Sequence, residues 1–234
     1  MAIVYINKKR SITFALFAFL VSIAFVSCNN KSEQQSQAQP VEVPVADVPV
    51  VYPKDSFETG KVIPSIPLAG YPAESFALYL PKGYTDTARY PVMVFLDIYG
   101  QGSLPLDMYM ALADKYSYIL VGSNNFSKKF STPEATAVAN RLVKEVSERF
   151  KIDEKRLTLC GYGNGAKGAI ETAYTNSKVA QVVYIGAVAD IQNANHPLDM
   201  LGFAGTKDLN YANVLLFAAQ SMPSNLHNYL VEWQ

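Results

Sequence analysis

The sequence predicts a three-layer α/β/α sandwich built on a mainly parallel sheet. Three observations point there. From Phe57 onward, strand-like and helix-like segments alternate. Most of the strand-like segments are continuous apolar runs, as strands buried on both faces require. A glycine-rich turn, Gly161-Tyr162-Gly163-Asn164-Gly165, joins one strand-like run to the helix-like run after it.

The elements follow in order. Ser75–Leu80 alternates with period two and stops at Pro81-Lys82-Gly83, while Pro91–Leu96 is apolar throughout. Leu106–Tyr116 reads as a helix with Met108, Leu112 and Ala113 on one side, and Tyr118–Gly122 as a buried strand. Thr132–Phe150 has the clearest helical signature. A Ser/Thr start, Pro133 in the first turn and Glu134 precede an apolar set of Ala139, Leu142, Val146 and Phe150. Leu157–Cys160 is a short strand, and the helix after the glycine turn runs to about Thr175. Val179–Ile185 and Met200–Ala204 are strands, Tyr211–Gln220 a helix, and Tyr229–Trp233 a last strand. The charged runs Lys128-Lys129 and Asp153-Glu154-Lys155-Arg156 read as solvated loops.

The first 55 residues have a different composition. Lys8-Lys9-Arg10 forms a basic n-region, and Ile12–Val26 is an uncharged apolar run. That run is shorter than the roughly 20 residues a bilayer span needs, so it reads as a secretory signal. It closes on Phe25-Val26-Ser27-Cys28 and turns abruptly polar at Asn29-Asn30-Lys31-Ser32, which resembles a bacterial lipobox. The resemblance implies cleavage before Cys28, acylation of its thiol, and an extracytoplasmic protein held to the cell envelope. Residues 1–27 are then the signal peptide and residues 28–55 a lipidated cysteine with a tether. The tether is Ser/Gln-rich at first and then punctuated by Pro40, Pro44, Pro49 and Pro53, too polar and proline-rich to fold alone. Residues 56–234 form the folded domain. With Cys28 acylated, Cys160 is left without a disulfide partner and reads as a small buried hydrophobe. A formal net charge of zero gives no electrostatic case for nucleic acid.

The glycine turn carries the functional information. In the pattern G-x-S-x-G, a serine sits on a strained strand-to-helix turn, and small neighbours let helix and strand pack closely. Here the small residues are present and Gly163 holds the central place. Together with the order of elements, this resembles the α/β-hydrolase superfamily. More narrowly it is similar to secreted esterases of the feruloyl-esterase and polyhydroxyalkanoate-depolymerase type. Three further stretches carry the resemblance: Val94–Gly102, as a strand with an oxyanion loop; Tyr118–Asn125, as the next strand and turn; and Gly205-Thr206-Lys207-Asp208-Leu209-Asn210-Tyr211, as the loop of the triad acid. The resemblance implies Asp208 as the acid, Gly163 at the nucleophile position, and the backbone N–H of Asn164 with that of Tyr99 or Gly100 as oxyanion donors.

Two departures turn the expectation away from catalysis. An ester-cleaving triad needs an oxygen or sulfur nucleophile, and glycine supplies neither. The family's histidine follows the last strand, yet the two histidines, His196 and His227, both precede it. The resemblance places a Gly-x-His-x-Trp-like segment where Gln234 closes the sequence. The expectation is therefore a chain truncated or frameshifted there, or one that has lost this loop. The function expected is non-catalytic binding of a carbohydrate, ester or protein partner, with no cofactor and no metal. The alternative is an active envelope esterase with an unorthodox nucleophile or a histidine beyond Gln234. Gly163–Gly168 also matches G-x-G-x-x-G with Asp190 downstream, but this motif is not in the first strand–helix unit, where dinucleotide-binding folds carry it.

Overall fold

The computed structural model describes residues 2–5, 57–190, 196, 198–220 and 228–233. Cys28, the tether and His227 lie outside the described residues, as does the expected signal peptide apart from residues 2–5. The described strands are β1 (Ala2–Tyr5), β2 (Val62–Leu68), β3 (Tyr71–Tyr79), β4 (Tyr90–Leu96), β5 (Ile119–Ser123), β6 (Ile152–Tyr162), β7 (Gln181–Ile185), β8 (Asp199–Gly205) and β9 (Asn228–Trp233). The helices are α1 (Ser103–Tyr116), α2 (Thr132–Arg149), α3 (Asn164–Thr175) and α4 (Tyr211–Gln220). One sheet contains all nine strands in the order β1-β9-β8-β7-β6-β4-β5-β3-β2. Strands β4 to β9 are mutually parallel, while β1, β2 and β3 pair antiparallel. Helices cross over between the parallel strands, which gives the three-layer sandwich.

Two apolar cores, one on each face, follow from the alternation of side chains along each strand. The larger packs Val92, Val94, Val121, Leu157, Leu159, Val182, Tyr184 and Met200 against α2, α3 and α4. The smaller packs Ala77, Tyr79, Phe95 and Leu120 against Leu106 and Ala113 of α1. Beyond α1 this second face carries an apolar groove of about 520 Å³ running over Met93, Cys160, Val183, Ile185, Leu201 and Phe203. Cys160 is half-buried in it, and its apolar surroundings push the thiol pKa up to about 12, so it is no thiolate nucleophile at neutral pH.

The expected set on α2 is buried as read, with Ala139, Leu142, Val146 and Phe150 all in the core. The α2 start is fixed by Glu134, whose carboxylate accepts both the N–H of Ser131 at 2.8 Å and its hydroxyl at 2.7 Å. On α1 the three apolar residues read on one side divide: Met108 and Leu112 are exposed, while Ala113 is buried with Leu106 against the sheet. This helix is apolar on most sides, so periodicity alone could not choose its buried stripe. Tyr109 settles the choice by stacking on Phe95, with ring centroids 5.7 Å apart. A second correction concerns Asp153–Arg156, which belong to β6 rather than to a loop. Ile152 pairs with Tyr90 and draws the run into the ladder, while its charges stay toward solvent and Asp153 pairs with Arg156 at 2.6 Å.

Candidate functional site

Loops after β4, β5, β6, β7 and β8 meet at the carboxyl edge of the parallel strands, where open α/β sheets build their sites. At the centre is the turn from β6 into α3. Gly163 has φ +56° and ψ −126°, a region that side-chain-bearing residues enter only under strain. Its neighbours are glycine for a different reason. A Cβ on Gly161 would collide with the Gly165 carbonyl, and one on Gly165 would collide with the Leu96 carbonyl. This close approach of strand, turn and helix fixes the elbow. At Gly163 itself, among the described residues and apart from its chain neighbours, no atom lies within 4 Å of where a Cβ would stand. The elbow is therefore formed, its central position faces open space, and it presents no reactive atom.

The acid position is brought to this turn. The Gly163 N–H donates to Ile185 O at 3.0 Å, which ties the elbow to the end of β7. The next residue, Gly186, lies between the site's two sides. A Cβ there would stand 3.0 Å from Asp208 Oδ2 and 3.4 Å from the Tyr162 ring. Asp208, half-buried, accepts the Asn210 N–H at 2.8 Å, and Asn210 Nδ2 donates to Gly186 O at 3.0 Å. The loop that follows β8 thus places its carboxylate beside Gly186, on the side of the Tyr162 ring.

On the other side, Asn164 opens α3. Its Nδ2 donates to Lys128 O at 2.8 Å, and the Lys128 N–H donates to Ile98 O at 2.9 Å. Lys128 Nζ sits 4.8 Å from the centre of the exposed Tyr99 ring. As the first residues of a helix capped by glycine, Asn164 and Gly165 have backbone N–H groups without intrahelical partners. The Tyr99 and Gly100 amides are arranged differently. The Tyr99 N–H donates to Asp97 Oδ1 at 2.9 Å, as does that of Gln101, and the Gly100 N–H donates to Asp97 O at 3.1 Å. Both candidate second donors are already engaged by their own turn. Asp97 was not singled out from the sequence, although an aspartate two residues before a turn amide is a recognisable signal for such a turn.

His196 lies at the opposite edge. Its Nε2 is 3.1 Å from Val179 O, ahead of the amino end of β7, so it cannot serve the elbow. Among the described residues no cluster of three or more His, Cys, Asp or Glu side chains could hold a metal ion. No described helix is long and apolar enough to cross a membrane. The glycines of the nucleotide-like motif have packing roles: Gly165 meets Leu96, and a Cβ on Gly168 would lie 2.7 Å from the Phe126 ring.

By sequence, the chain matches no protein-family model and no curated protein. By structure it resembles solved esterases. A hyperthermophilic esterase from Pyrobaculum calidifontis aligns at TM-score 0.58 and 15% identity over 75% of this chain and 76% of that one. A thermophilic carboxylesterase cloned from a metagenomic library aligns at TM-score 0.59 and 14% identity, over 76% and 80% of the two chains. A thermostable esterase aligns at TM-score 0.51 and 14% identity over 68% of this chain, which spans only 51% of that protein. At these identities the likeness is one of architecture, and the chain has the α/β-hydrolase fold.

Proposed function

We propose that this is a lipid-anchored protein of the bacterial cell envelope whose hydrolase-fold cleft binds a carbohydrate, ester or protein ligand without covalent catalysis. The observation that supports it most is the elbow: formed and open at Gly163, with no atom to attack a carbonyl. The engaged Tyr99 and Gly100 amides support it further, because a second oxyanion donor would have to break an existing turn. The anchor rests on the lipobox-like end of the apolar run at Cys28. The test is hydrolysis of p-nitrophenyl acetate and feruloyl esters by purified protein and by Gly163→Ser. The wild type should not exceed buffer, and turnover by the wild type would overturn the reading. Radiolabelled palmitate should enter the wild type and not Cys28→Ser.

The second reading is an active envelope esterase. It is favoured by the Asp208 carboxylate beside the elbow and by the esterase names of the structural neighbours. Turnover by the wild-type protein, abolished in Asp208→Asn, would establish it.

A further inference from the structure

Helix α1 turns large apolar side chains outward. Leu104 is 49% exposed, Met108 65%, Leu112 51% and Tyr116 58%. A spacing of four residues sets them in one row along the helix. At about 3.6 residues per turn the row lies on the flank next to Tyr109, while Asp107 and Asp114 fall together on the opposite flank. Tyr109, Leu112 and Tyr116 also line the groove of about 520 Å³, so row and groove form one continuous surface. None of the residues lining the groove is charged. Single exposed leucines are ordinary, but a contiguous apolar surface of this extent marks a contact.

We infer that this surface lies against the bilayer to which the chain is anchored, with the row on α1 sunk to the boundary between headgroups and acyl chains. This rests on the lipoprotein reading of Cys28. Residues 28–55 reach up to about 85 Å when extended, against a domain width of roughly 40 Å, so this face can meet the membrane. Anchoring also keeps the local concentration of lipid high, and a weak contact then suffices.

The chemistry of the surface favours lipid over a protein partner. A protein interface carries about one hydrogen bond per 100–200 Å², and the side chains lining the groove offer only tyrosine hydroxyls and the Cys160 thiol. Tyrosine suits a membrane surface, since its ring packs on apolar groups while its hydroxyl stays wet. The charges around α1 balance: Asp107 and Asp114 stand against Lys115 and against Lys82, whose Nζ lies 3.3 Å from Asp114. Burial of apolar area, not attraction to anionic lipid, therefore drives the contact. At 14 residues α1 is too short to span a bilayer and lies in its surface. Because α1 packs flat on the sheet, the sheet then runs along the membrane. The Gly163 cleft, at the carboxyl edge, opens sideways, and its ligand arrives along the membrane plane.

The test uses the full chain with its own leader, expressed in a bacterial envelope and purified. It is reconstituted into phosphatidylcholine vesicles that contain a diazirine-acyl phosphatidylcholine. After illumination, mass spectrometry should find lipid adducts on Ser103–Tyr116 and not on α2 or α3, and raising the salt should not reduce them. Met108→Glu with Leu112→Glu should cut these adducts by about tenfold or more, because a carboxylate is expelled from the acyl boundary. Circular dichroism should stay unchanged, since both side chains are exposed. Intact mass identifies which premise fails. An acylated chain that begins at Cys28 yet labels no more on α1 than on α2 overturns the membrane face and leaves the anchor standing. Cross-linking of Lys115 to a second protein in intact cells, with α1 free of lipid adducts, assigns the face to that partner and overturns it as well. A chain without acyl groups overturns the anchor and this inference together.

Discussion

Placing serine at position 163 tests whether the elbow is held as described. The site has room, since nothing lies within 4 Å of a Cβ there, so the cost is conformational rather than steric. A non-glycine residue in that sparsely populated region costs about 1–3 kcal/mol, and lower unfolded-chain entropy returns about 0.4–1, leaving about 0–2.6 kcal/mol of destabilisation. At roughly 2–4 °C per kcal/mol for a chain of 150–250 residues, Tm should fall by up to about 10 °C. Thermal and urea denaturation followed by circular dichroism measure it. Gly163→Ala should lose a similar amount, because strain and not the hydroxyl sets the cost. A serine variant more stable than wild type would refute the assigned backbone geometry. One that is destabilised but cleaves p-nitrophenyl acetate would show that a competent base reaches the elbow.

Four further outcomes follow from packing and charge. Gly161→Ala should cost about 3 kcal/mol or more and deplete soluble protein, since its Cβ meets the Gly165 backbone, which cannot step aside. Glu145→Ala should cost about 3–5 kcal/mol by urea titration, because the buried carboxylate holds Arg149 at 2.8 Å and the Ala69 N–H at 3.1 Å. Tyr174→Phe should be neutral or stabilising by up to about 1–3 kcal/mol, because it removes a buried hydroxyl that has no hydrogen-bond partner among the described residues. Burial pushes Tyr174 and Tyr79 up to about 12, Tyr79 with help from its hydrogen bond to Asp114. A raised pKa means that the folded state holds the proton more tightly. Stability from both tyrosines is therefore complete below pH 10 and drains away toward pH 12, with a shallower fall in Tyr174→Phe.

Legibility in the sequence tracked how local the determining physics was. Strands β4, β5 and the core of β6 were readable because burial on both faces leaves an unbroken apolar run. The cap and apolar stripe of α2 were readable because Ser131, Pro133 and Glu134 act within one turn. The buried face of α1 was not, since a helix apolar nearly all round needs Phe95, on a strand, to choose its orientation. Strand β2 was hidden by its prolines, which mark an edge more than they signal a strand. Strand β1 drew on residues whose sequence neighbours announce a leader, and its pairing with β9 spans almost the whole chain.

The site divides in the same way. Glycines 161 and 165 are demanded by backbone contacts with Gly165 and Leu96, so the elbow pattern is a packing code that needs no chemistry to persist. Position 163 has no such contacts. Its backbone favours glycine, and a side chain there would enter open space, so glycine at this position costs the fold nothing. The Asp208 loop stays in place for a structural reason too, because Asn210 ties it to Gly186 through groups unrelated to acid function. Across the cleft, Asp97 draws the Tyr99 and Gly100 amides into its own turn, which stabilises the loop at the expense of their availability. Fold and catalysis thus draw on different atoms of the same motif. The contacts that pack this turn lie at Gly161 and Gly165 and not at position 163, so the sequence could indicate the hydrolase fold whatever the chemistry of the cleft.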